Sequence, residues 1–157
     1  MSTATTNDKR ELVLTRLIDV SRDKLFRCWT EPALIVQWFT PPPWKTVRAE
    51  TDVRAGGTSN IVMQGPDGTE MPNRGVYLEV VNNERLVFTD AFTAAWEPSA
   101  KPFFTCVLTF EEEDGKTRYT ARARHWTAED CKAHEDMGFY IGWGIATDQL
   151  AALAATL

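Results

Sequence analysis

The sequence predicts an α+β domain: a curved antiparallel sheet of about seven strands wrapped around a long C-terminal helix. Three observations carry that expectation. From Trp44 to Trp126 apolar residues recur with period two between turn signals, as in paired strands. Near the C-terminus Phe139, Trp143, Ala146, Leu150, Leu153 and Leu157 follow spacings of four and three, one face of a helix. A curled sheet gripping that helix hides both apolar faces at once.

The elements follow in order. Residues 1–9 are polar and expected to be flexible, leaving residues 10–157 as one domain. ELVLTRLID, Glu11 to Asp19, alternates as a strand, with Leu12, Leu14, Arg16 and Ile18 on one side. Ser21 caps a short helix, RDKLFRCW, and Thr30 caps a second, EPALIVQWF, whose Pro32 is tolerated in the first turn. Pro41 to Pro43 enforce an extended, stiff loop. Six strands follow, broken at Ala55-Gly56-Gly57, Gly65 to Gly68, Asn82-Asn83, Trp96 to Pro102, and Asp114-Gly115. A final helix is expected to run from Thr127 or Asp130 to the C-terminus.

One hairpin yields its register by counting. A two-residue Asp114-Gly115 loop pairs Glu113 with Lys116. Glu111 then faces Arg118, Thr109 faces Thr120, Val107 faces Arg122 and Thr105 faces Arg124, a charged and hydroxylated face suited to water. The other face pairs Phe110 with Tyr119, Leu108 with Ala121, Cys106 with Ala123 and Phe104 with His125. RYTARAR is therefore a solvated strand face rather than a nucleic-acid stripe. The alanines on the inner face, with Gly138, Gly142 and Gly144 on the helix, mark either close helix-to-sheet approach or a hollow kept open by small residues.

The totals exclude whole classes of function. A net charge of −5 is wrong for a protein whose main partner is nucleic acid. No run of about 18 apolar residues suggests a membrane span, and MSTATTNDKR lacks an apolar signal core, so a cytoplasmic location is expected. Cys28, Cys106 and Cys131 are odd in number and sit among apolar neighbours, as buried reduced thiols do.

At this point LTRLIDVSRDKLFRCWTEPALIVQWF, AGGTSNIVMQGPDGTEMPNRGVYLEVVNNERLVFT and GWGIATDQLAAL resemble bacterial proteins related to the C-terminal domain of the Hsp90 ATPase activator. These belong to the START-like, or Bet v 1-like, superfamily. The resemblance runs from about Glu11 to the end. It implies the helix-grip fold with a hydrophobic cavity between sheet and helix, and binding of small apolar molecules in many relatives. Gly142-Trp143 and Gln37-Trp38 match fold-defining positions of the family.

The expected ligand-binding residues are fifteen side chains on the inner face and rim. Trp38, Phe39 and Trp44 flank the proline loop as a border. Tyr77, Phe88 and Asp90 come from the fourth and fifth strands, Phe104, Cys106 and Leu108 from the sixth, and Tyr119, Ala121, Ala123 and His125 from the seventh. Met137 and Ile141 come from the terminal helix. Which face of the fourth and fifth strands turns inward stays open. One carries Gly75, Tyr77, Glu79 and Val81 with Leu86, Phe88, Asp90 and Phe92; the other, with Val76, Leu78, Val80 and Val87, is nearly as apolar.

His125, Asp130, Cys131, His134 and Glu135 are metal-ligating types, but strand and helix starts separate them, so neither metal nor cofactor is assigned. Three functions compete. The first is binding of a small hydrophobic or aromatic molecule without chemistry, by a monomer or weak homodimer. The second is a cyclase, dehydratase or hydrolase using His125 with Asp90 or Glu79, whose pKa an apolar site would raise. The third is an interaction module for an Hsp90-type chaperone.

Overall fold

The computed structural model describes residues 10–93 and 96–157. The segment expected to be flexible, residues 1–9, lies outside the described residues. The order is β1 (Glu11–Ile18), α1 (Arg22–Thr30), α2 (Pro32–Trp38), β2 (Lys45–Thr51), β3 (Thr58–Gln64), β4 (Glu70–Val81), β5 (Arg85–Thr89), β6 (Phe104–Glu113), β7 (Lys116–His125), α3 (Ala128–Asp136) and α4 (Phe139–Ala154). The strands form a seven-stranded antiparallel sheet ordered β1-β7-β6-β5-β4-β3-β2. Its concave face packs on α1, α2 and α4, the helix-grip arrangement.

The β6–β7 hairpin has the counted register, from Glu113–Lys116 out to Phe104–His125. Asp114 and Gly115 both adopt positive φ, as a tight two-residue loop demands. On the inner face Phe110, Leu108, Cys106, Tyr119 and Ala121 join one buried cluster with Leu25, Phe26, Trp29, Ala146 and Leu150. Arg16, also on the inner side of β1, lies across α4 and pairs with Asp148 at 2.8 Å. A methyl group added at Gly144 would come within 3.1 Å of its guanidinium.

Two sequence expectations need correction, and a third holds in position only. Thr30 is not the cap of α2: it closes α1, its hydroxyl donating to the Phe26 carbonyl at 2.8 Å, and Glu31 takes the cap position. Ser21 does sit at the cap of α1 but makes no capping bond from its side chain. Last, the C-terminal helix is two helices. Thr127 caps α3 by accepting from Asp130 N–H, and Gly138, at φ +96°, breaks the chain before α4 begins.

That break explains one glycine and isolates another. Gly138 holds a left-handed conformation that a side chain penalises by about 1–2 kcal/mol. Gly142 lies in regular helix, and a methyl group there would meet nothing within 4 Å. Close approach therefore accounts for neither. Among the described residues no helix is long and apolar enough to cross a membrane.

Gly138→Ala should lower Tm by roughly 3–6 °C, from about 1–2 kcal/mol of backbone strain. Gly142→Ala should raise stability by about 0.5–1 kcal/mol, because alanine is the better helix former in open space. Thermal unfolding of the two variants beside the parent checks both signs.

Candidate functional site

The concave face is not uniformly filled. Beneath β1, β7 and β6 the helices lie close against small or well-packed residues. Ala121 and Ala123 are buried, the latter against Leu12, Cys131 and Phe139. Toward β3, β4 and β5 the sheet curves away and leaves a cavity of about 610 Å³.

Six aromatic rings border it: Trp29 from α1, Phe39 after α2, Phe88 on β5, Phe103 and Phe104 at the start of β6, and Trp143 on α4. Trp29 is the hub. Its ring centroid lies 5.9 Å from Phe39, 5.7 Å from Phe88 and 6.3 Å, nearly parallel, from Trp143. Behind it the indole N–H donates to the Tyr119 hydroxyl at 3.2 Å. Ile61 and Met71 extend the apolar wall, and Ser59, Asn73, Arg74, Thr89, Asp90, Ser99 and Lys101 supply polar groups.

A bulge decides which face of β4 and β5 turns inward. Tyr77 pairs with Phe88, but the next pair is Glu79 with Val87, so the ladder slips by one residue at Leu78. Tyr77, Leu86 and Phe88 point inward from one of the two faces, and Val80, paired with Leu86, from the other. Glu79 instead points outward and pairs with Arg85 at 2.8 Å. Just before the bulge, a side chain on Gly75 would strike the Thr89 carbonyl at 2.3 Å, so β4 and β5 can approach there only at glycine.

Asp90 builds the wall. Its carboxylate accepts from Phe103 N–H at 2.8 and 2.9 Å and from Phe104 N–H at 3.1 Å, fixing the two rings that follow. Burial pushes its carboxyl above the usual range despite those donors.

Of the fifteen expected lining residues, the structure brings Phe39, Phe88, Asp90 and Phe104 together on the cavity wall. The others lie elsewhere. Trp38 is buried behind Trp29 and donates to the Cys28 carbonyl at 2.8 Å. Trp44 packs on Gly65. Tyr77, Cys106, Leu108, Tyr119 and Ala121 belong to the filled core, and Ala123 to the smaller cluster. Met137 and Ile141 are 75% and 74% exposed, pointing away from the sheet. The alanines of β7 thus mark close packing, and the hollow lies over the other half of the sheet.

His125 is likewise not at the mouth. Its Nδ1 lies 3.0 Å from the Arg10 carbonyl, and its Nε2 2.8 Å from Nδ1 of His134. The carbonyl can only accept, so His125 Nδ1 carries a proton and donates to it, while of the two facing nitrogens, His125 Nε2 and His134 Nδ1, one donates to the other. Phe103 and Phe104 pack over both rings. His125, Asp90 and Glu79 therefore do not form one acid–base site. Burial, and then the neighbouring His125, depress His134 to about 4. Among the described residues no three metal-ligating side chains are placed to hold an ion. The three cysteines are buried, and burial pushes the Cys28 thiol up to about 11, far from a reactive thiolate.

The family described as Activator of Hsp90 ATPase homolog 1-like protein matches residues 19–155. The chain belongs to that family. Among solved relatives of this Hsp90-activator-like chain is protein NE0264 from Nitrosomonas europaea, 37% identical, with a TM-score of 0.92 over 96% of this chain and 97% of that one. Protein Ms6760 from Mycobacterium smegmatis is 27% identical, with a TM-score of 0.78 over 93% and 91%. An AHSA1-like protein from Aeromonas hydrophila, 17% identical with a TM-score of 0.72 over 93% and 92%, shares the fold. No protein of curated description matches. The activator-like, START-like fold is compatible with ligand binding.

Sequence reasoning missed Trp29 and Trp143 as cavity walls because their spacing marks them as core. It missed Arg74, Ser99 and Phe103 because the bulge and the loop before β6 place them. Gly75, a glycine inside a strand, was the available signal.

The histidine pair predicts a stability change with pH. The unfolded chain binds a proton at His134 near pH 6.5, the folded protein only near pH 4. Stability is therefore complete above about pH 6.5 and falls as pH drops toward 4, by at most about 3 kcal/mol. Urea unfolding between those limits should show that slope, and His134→Asn should flatten it.

Proposed function

We propose that this protein encloses one small hydrophobic or aromatic molecule in the hollow between α1, α4 and strands β3 to β5, as a cytoplasmic carrier. The observation that supports this most directly is the cavity of about 610 Å³ bordered by six aromatic rings. Its volume falls in the range of pockets that enclose drug-sized ligands, about 300–1,000 Å³. Its apolar wall with a few polar groups is the usual composition of such sites. Burying an apolar ligand there is favourable by about 25 cal/mol per Å² removed from water.

The test uses N-phenyl-1-naphthylamine, an uncharged fluorophore. It should bind saturably, one per chain, and accept excitation energy from Trp29 and Trp143. Ser59→Phe, which sets a ring in the hollow, should weaken binding roughly tenfold or more, a loss of about 1.4 kcal/mol or more, while circular dichroism stays that of the parent. Unsaturable binding, or binding indifferent to that ring, would remove the proposal.

A second reading rests on a different surface. Met137, Ile141 and Ile145 are exposed at intervals of four residues across the α3–α4 junction, with Tyr140 beside them. An exposed apolar row of this kind is a common contact surface, and the family's description supplies a partner class, an Hsp90-type chaperone. The expected result is that the chain stimulates the ATPase of such a chaperone and that Ile141→Asp abolishes this without affecting fluorophore binding. Absence of stimulation by the parent protein rejects it.

A further inference from the structure

A surface helix usually keeps charged residues on its outer side, and α4 does not. Its 16 residues, FYIGWGIATDQLAALA, include one charge, Asp148, and that carboxylate is paired with Arg16 of β1 at 2.8 Å. The inner side buries Phe139, Ala146, Leu150 and Ala154. The outer side exposes Ile141 and Ile145, about one turn apart, with Tyr140 and Met137 exposed toward its N-terminal end. A helix that is apolar all round is one that packs on every side. In a single copy the outer side of α4 faces water.

Gly142 is an independent observation. It lies beside Ile141 and Ile145 in regular helix, where glycine is roughly 1 kcal/mol less favourable than alanine. Gly138 serves a left-handed turn and Gly144 makes room for the Arg16 guanidinium, but a methyl group at Gly142 would meet nothing within 4 Å. Open space in front of a glycine, next to exposed isoleucines, lets a second helix come close. Crossing helices pack about 8–10 Å apart, and the nearer distance needs a small residue at the crossing.

Charge then selects which second helix. Across a two-fold axis each residue near the axis meets its own kind, so unpaired charges there repel. The outer side of α4 escapes that cost, because its one carboxylate is neutralised within the chain. Antiparallel pairing about such an axis sets Ile141 of each copy against Ile145 of the other, ridge into groove.

We infer that the outer side of α4 is the contact between two copies of this chain, a weak symmetric dimer whose helices cross at Gly142. This goes beyond both readings above. A chaperone that used the same row would compete with the second copy and would bind the single chain.

Sedimentation equilibrium of the parent protein over about 1–500 μM tests this. One copy should pass to two, with a dissociation constant of about 10–100 μM. Added salt should tighten the association by screening the net charge of −5 on each copy. Ile141→Asp should weaken it at least tenfold. Gly142→Gln should do the same, although glutamine is the better helix former, and at the lowest concentration this variant should melt no lower than the parent. Parent protein that stays single throughout overturns the inference, as does a dimer whose affinity either substitution leaves unchanged. The cavity and chaperone readings then still stand, since fluorophore binding and ATPase stimulation are separate measurements.

Discussion

The hydrogen bond between the Trp29 indole and the Tyr119 hydroxyl organises the interior. Tyr119 is almost wholly buried at the centre of the sheet, where a phenol without a partner would be costly. Burial also drives its ionisation far up, keeping it a neutral hydroxyl. The indole, reaching from α1, donates to its oxygen at 3.2 Å and sets where α1 can lie. Once Trp29 is placed, Trp38, Phe39, Phe88 and Trp143 arrange around its ring. The core and the hollow are thus two sides of one side chain.

The sheet divides its concave face between two tasks. Over β7 Ala121 and Ala123 are short, so α4 and α3 come close and the interior is dense. Over β3 to β5 the bulge in β4 and the glycine beside it bend the sheet away from the helices. Dense packing on one side supplies stability that the open side cannot, since a ring facing a void loses the contacts of a filled core. Gln149 adds to this by donating to the Trp38 and Thr40 carbonyls, tying α4 to the end of α2.

Much of the fold was legible in the residues. Asp114-Gly115 sets a register that propagates unbroken for ten pairs because both strands alternate without interruption. The helical stripe from Phe139 and the turn signals between strands locate the remaining elements. The site was less legible, and for a physical reason. Alternation predicts a face only while pairing stays in step, and the slip at Leu78 turned Glu79 outward and brought Val80 in beside Tyr77. Small residues are ambiguous by nature: Ala121 and Ala123 fill space that a helix occupies, whereas Gly138 answers to backbone torsion. His125 occupies its counted place on the strand, but its partner His134 arrives from a helix whose end no periodicity announced.

Phe103 and Phe104 touch the cavity on one side and the paired imidazoles on the other, and both are pinned through their amides by one carboxylate, Asp90. They form a partition shared by two compartments, one greasy and one polar, with a single hinge post. Guest volume on one side and proton occupancy on the other are in that sense neighbours across a wall two residues thick.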